Sequence, residues 1–158
     1  MSYRVFKKNL IQDFKAKTIS FFFKKNLQIV STNYIIKFLE EYADYYKKDV
    51  RVCLHPNKKS PFHIMVILQH KFNIYLPHKH TKSSDKIFVC KGSILVKIFT
   101  SKGVLKESFI AKKNDYVLMK DNEYHSFNPI TNRVVFIESK RGPFNKHETI
   151  FPKWSHAN

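Results

Sequence analysis

From Arg51 to about residue 140 the apolar residues come in short runs broken by Asn, Asp, Gly and Pro, a pattern that predicts strands near 62–69, 72–77, 86–91, 93–100, 104–111, 115–119, 124–128 and 133–140. The short gaps between runs favour hairpins over crossover helices. Gly92 sits between two runs, Gly103 closes the tip Ser101-Lys102-Gly103, and Asn114-Asp115 and Asp121-Asn122 supply turns, because asparagine tolerates a left-handed backbone. Earlier in the chain the spacing changes. Ile35, Ile36, Phe38, Leu39 and Tyr42 recur at three- and four-residue steps behind the capping candidates Ser31, Thr32 and Asn33, which predicts one helix over about 33–48. Thr18–Phe23 and Leu27–Val30 are short β-prone pieces. The segment from Arg141 to Asn158 carries Pro143, Pro152 and the aromatics Phe144, Phe151 and Trp154, as expected for an irregular strap packed on the outside. The expectation is a mainly β protein of one domain: an α-helical and β extension over 1–50, packed on a barrel over 51–158. Ile94 to Phe99 is apolar on both faces, so an outer face of the barrel needs cover from the helix, the strap or a second subunit, and a homodimer is expected.

Composition narrows the function. A chain of 158 residues that is 43% hydrophobic can build one sizeable core. Lys and Arg number 29 against 12 acids, a net charge of +17 that attracts anions. The lysines fall in dispersed pairs beside turns, so a small anionic substrate is favoured over nucleic acid. No apolar run approaches the ~20 residues of a membrane helix, and Met1 to Phe14 lacks the apolar core of a signal peptide. Cys53 and Cys90 form no Cys-x-x-Cys pair and are expected as free thiols in a reducing cytoplasm.

The chemistry concentrates in Pro77-His78-Lys79-His80-Thr81-Lys82-Ser83-Ser84-Asp85. Alternate residues of a strand share a face, so His78 and His80 present both imidazoles to one side, while Asp85 shares a face with Ile87 and Val89. A carboxylate at the mouth of an apolar surface needs a cation. His125, on a later strand, offers a third imidazole. Three imidazoles and one carboxylate suit iron, manganese, nickel, copper or zinc, and do not suit calcium. Against this stands the plainer possibility of two solvated histidines on a strand.

The spacing from His78-x-His80 to Asp85 and Gly92 resembles the first cupin motif, with Asp in place of the usual Glu. Laid on His125, the second motif falls on Asn114, Lys120 and Asn122, so asparagine replaces both glycines and lysine the proline. More narrowly, the chain resembles the WbuC family of small metal-binding cupins, within the RmlC-like superfamily. Arg51-Val52-Cys53-Leu54-His55, Pro77-His78-Lys79-His80 with Lys82 and Asp85, Ile98-Phe99 before Gly103, and Gly142-Pro143-Phe144 with Trp154 carry that likeness. The resemblance implies a double-stranded β-helix, or jelly roll, holding a divalent transition metal (iron, manganese, zinc or nickel) on His78, His80, Asp85 and His125. It also implies a place in bacterial surface-polysaccharide biosynthesis.

Arg51, His55 and Lys82 are candidates for binding an anionic sugar, since arginine offers a fixed fork and imidazole a proton donor or acceptor. His63 and His70 are expected to be structural or exposed. No catalytic group is evident; Tyr75 and Glu138 are the remaining candidates, Glu138 as an acceptor for a metal-bound imidazole. The functional expectation is isomerisation or epimerisation of a nucleotide- or lipid-linked sugar. A non-catalytic sugar-binding or assembly cupin is the alternative, and a basic nucleic-acid-binding protein stands third.

Overall fold

A computed structural model describes residues 1–16, 18–25 and 27–156; Ala157 and Asn158, the end of the expected strap, lie outside the described residues, as do Lys17 and Asn26 of the extension. The elements run α1 (Tyr3–Lys8), β1 (Leu10–Gln12), β2 (Ile19–Phe23), α2 (Thr32–Tyr46), β3 (Val50–Cys53), β4 (Phe62–His70), β5 (Lys79–His80), β6 (Lys86–Lys91), β7 (Ser93–Phe99), β8 (Leu105–Lys112), β9 (Tyr116–Leu118), β10 (Tyr124–Pro129), β11 (Arg133–Arg141) and β12 (Thr149–Ile150). Seven strands form one sheet in the order β1-β2-β3-β4-β11-β6-β9, three form a second as β10-β7-β8, and β12 pairs with β5. No described helix is long and apolar enough to cross a membrane.

Alternation assigns the faces. Along β4, Met65 and Ile67 point between the sheets and join Ile87, Val89, Ile94, Val96, Val134 and Phe136 in one core. Val66 and Leu68 point the other way and, with Val50, Val52 and Val135, meet Phe6 of α1 and Ile35, Leu39 and Ala43 of α2. That second layer explains why the run from Ile64 to Leu68 is apolar throughout: the strand is covered on both sides. At the end of β7, Trp154 of the strap lies 5.4 Å from the Phe99 ring.

Several sequence expectations need correction. Residues 72–77 and 27–30 are not strands. Phe72 and Ile74 are exposed, and the Tyr75 hydroxyl is drawn aside to Asp49, so this run has no strand to pair with. Hairpins are fewer than turn lengths suggested. Of the consecutive pairs from β6 to β11, only β7 and β8 are neighbours in a sheet; at each other step the chain passes between the two large sheets. The turn chemistry holds, however: Gly92, Gly103, Asn114 and Asn122 all have positive φ. At Gly92 a Cβ would also sit 2.5 Å from Thr131 Oγ1, so glycine is required there for space as well as conformation.

Candidate metal centre

His78 and His125 face each other across a backbone bridge. The His78 N–H donates to the His125 carbonyl at 3.0 Å and the His125 N–H to the His78 carbonyl at 2.9 Å, which sets their rings 4.8 Å apart. His80 follows two residues on, its carbonyl accepting from Asn122 N–H at 3.0 Å. The left-handed turn at Asn122 is what delivers that donor, so asparagine does here what glycine does in the resembled motif. Asp85 precedes β6 and is 2% exposed; its Oδ2 lies 3.1 Å from His80 Nε2 and 3.3 Å from His125 Nε2. One donor atom from each of the four residues lies within 4.8 Å of the others. Aspartate is therefore long enough to enter the cluster.

The imidazoles are oriented from behind. His78 Nδ1 lies 3.1 Å from the Leu76 carbonyl and His125 Nδ1 2.8 Å from the Glu123 carbonyl. A carbonyl only accepts, so each neutral ring carries its proton on Nδ1 and turns a bare Nε2 lone pair inward. His80 Nδ1 is 3.2 Å from Thr149 Oγ1, a hydroxyl able to play the same part. His125 Nε2 then confronts an Asp85 oxygen with a lone pair on each side, and both His125 Nε2 and Asp85 Oδ1 are buried without a hydrogen-bond partner among the described residues. Two inward-facing acceptors in a buried site are costly unless a cation joins them. The donor set fits a divalent transition metal.

The electrostatics favour ligation. Burial, helped by the neighbouring His125, lowers the His78 imidazole to about 4, which keeps it neutral. Burial alone would raise the Asp85 carboxyl, but His125 and His80, when they donate an Nε2 proton in the metal-free site, and the charge of Lys140 hold it well below the usual range. Lys140 was not foreseen from the sequence. Its Nζ lies 3.6 Å from Asp85 Oδ1 and 2.7 Å from Glu138 Oε1; burial opposes its charge, but these two carboxylates outweigh that and raise its pKa. Glu138 thus acts through Lys140 on Asp85 and is not an acceptor for an imidazole, the role expected of it.

The other candidates separate. Arg51 and His55 line one cavity, and Lys82 another, with Lys140 in the wall of both. Tyr75 lies outside the cluster: its hydroxyl donates to Asp49 Oδ2 at 2.6 Å, and Asp49 Oδ1 also meets His70 Nδ1 at 3.1 Å. His63 and His70 are both buried, His63 stacked on His55 with ring centres 4.0 Å apart.

Solved structures with this arrangement of strands include the capsular polysaccharide assembling protein CapF from Staphylococcus aureus, 17% identical over 60% of this chain and 29% of that chain, with a TM-score of 0.52. Bacillus subtilis oxalate decarboxylase is 18% identical over 59% of this chain and 24% of its own, at 0.51. Lactobacillus farciminis oxalate decarboxylase, in a formate complex, is 18% identical over 63% and 29%, at 0.50. The fold is the cupin jelly roll. This cupin spans less than a third of the length of each of those three proteins. No protein-family model matches the sequence, and no curated protein matches it.

Proposed function

We propose that this cupin is a metal-dependent protein of the WbuC type, acting in the cytoplasm of a bacterium on a nucleotide- or lipid-linked sugar during surface-polysaccharide synthesis, by isomerisation or epimerisation. One observation carries the reading: three imidazoles held from behind and the Asp85 carboxylate bring one donor atom of each residue within 4.8 Å of the others. The substrate class comes from the sequence resemblance, and it agrees with CapF, a neighbour in fold whose name is that of a capsular polysaccharide assembling protein.

When bound, a divalent metal supplies Lewis acidity that polarises a carbonyl or hydroxyl oxygen. His78, His80, Asp85 and His125 would hold it. His78 remains neutral above about pH 4 and needs no proton removed first. Asp85 contributes negative charge, and Lys140 fixes its second oxygen. Glu138, ion-paired to Lys140, is a carboxylate beside this group that could move a proton.

The test is elemental analysis of protein purified without added metal, repeated on His125→Ala. Wild type is expected to retain near-stoichiometric transition metal, and the variant to bind it about a hundredfold or more weakly. Equal metal content in the two proteins overturns the assignment. We also propose a homodimer; sedimentation that shows only the 18.8 kDa species overturns that.

A further inference from the structure

Lys140 lines a cavity of about 420 Å3 in which none of the four clustered residues takes part. Its walls come from Asp13, Lys15, Ala16 and Thr18 of the extension, from β2, β3 and β4, and from Phe144. The volume lies in the range of about 300–1,000 Å3 usual for small-molecule sites. Among the described residues four cationic side chains line it, Lys15, Arg51, Lys58 and Lys140, against one acid, Asp13. Lys58 is satisfied by Asp13 at 2.8 Å, and Lys140 by Glu138. Arg51 is not satisfied among the described residues. Its Nε donates to Ser20 Oγ at 2.7 Å, and its two terminal amino groups meet no acceptor among the described residues. A half-buried guanidinium anchored at Nε, with the rest of its fork open beside a cavity, is arranged to take a planar or tetrahedral anion through two parallel hydrogen bonds.

The neighbouring surfaces add selectivity. His55 and His63 stack nearly parallel, at 2°, and burial lowers the pKa of both, so the two rings form a flat neutral face beside the cation. Lys140 connects this cavity to the cluster, because the same ammonium sits 3.6 Å from Asp85 Oδ1. A ligand anchored on Arg51 is therefore one side chain away from the candidate metal centre.

We propose that this cavity binds the anionic group, a carboxylate or a phosphate monoester, of a sugar-sized ligand, with Arg51 as its fork and Lys140 as the wall shared with the metal centre. The proposal deepens the metal-dependent reading: the sugar ring itself carries a charge, in addition to any diphosphate that links it. Occupancy of the cavity does not need the metal, so the two ideas fail separately.

The experiment is calorimetric titration of the metal-free full chain, at fixed ionic strength, with D-glucuronate, glucose 6-phosphate, glucose and UDP. At least one of the two anionic sugars is expected to bind, which also separates carboxylate from phosphate, and glucose is expected not to. Arg51→Met should weaken that binding about tenfold or more, while Lys102→Ala, at the exposed hairpin tip, should leave it unchanged. Arg51→Lys, which keeps the charge and loses the fork, guards against a Met variant that fails to fold, and should weaken binding severalfold. The proposal is overturned if neither anionic sugar binds, if glucose binds as well as they do, if UDP alone binds, or if Arg51→Lys titrates like wild type. Loss of binding in the Arg51 variants with metal content intact supports it.

Discussion

A Lys140→Met variant is expected to lose about 3–5 kcal/mol of stability when metal-free, the usual cost of removing one partner from a buried ion pair. Lys140 is the cation between two buried carboxylates, 3.6 Å from Asp85 Oδ1 and 2.7 Å from Glu138 Oε1. Methionine fills similar volume but leaves both acids without a counter-charge, and proton uptake offsets only part of that cost. A divalent ion on the cluster supplies the missing charge next to Asp85. Metal should therefore stabilise the variant more than it stabilises wild type. Urea unfolding of both proteins, with and without the metal found in the wild type, checks this. Equal stability of the metal-free proteins, or an equal gain from metal in both, would show that Lys140 has no part in the charge balance of the centre.

Acid should destabilise the metal-free chain well before its carboxylates titrate. Burial lowers His55 and His78 from 6.5 to about 4. Between those values the unfolded chain binds protons that the folded chain refuses, so stability falls as pH falls. It is complete above about pH 6.5 and declines through the interval down to about 4. The size is on the order of 3 kcal/mol for the well-buried His55 and less for the half-buried His78. Saturating metal competes with protons for His78 and should move its share of the decline to lower pH. Thermal unfolding at pH steps from 7.5 to 4.5 tests the sign; a flat profile across the interval would mean that neither ring is held neutral by the fold.

The four residues of the cluster were legible because strand alternation is a local property. His78-x-His80 falls on one face from period two alone, and the apolar positions Ile87 and Val89 behind Asp85 fix which way that acid turns. The turns were legible for the same reason: asparagine at 114 and 122 announces positive φ without knowledge of what it packs against. What supports the site was not local. The carbonyls of Leu76 and Glu123 carry no side-chain signal, since any residue could supply them. Lys140 is one of 29 basic residues, and only the register of β11, which puts it on the face of Glu138 and Phe136, sets it apart. Helix α1 escaped notice because its 6 residues are too few to show a period, although Ser2 caps it through Val5 N–H. The missing strand at 72–77 failed on pairing: its apolar run fits a strand, but it joins no sheet among the described residues.

The pairing of β12 with β5 places Thr149 Oγ1 on the back of His80, 69 residues away in the chain. On the ribosome, the imidazole pair and Asp85 emerge long before that hydroxyl. Before β12 has paired with β5, His80 is free to rotate, so the four side chains reach their final arrangement only once Thr149 has folded back onto the barrel.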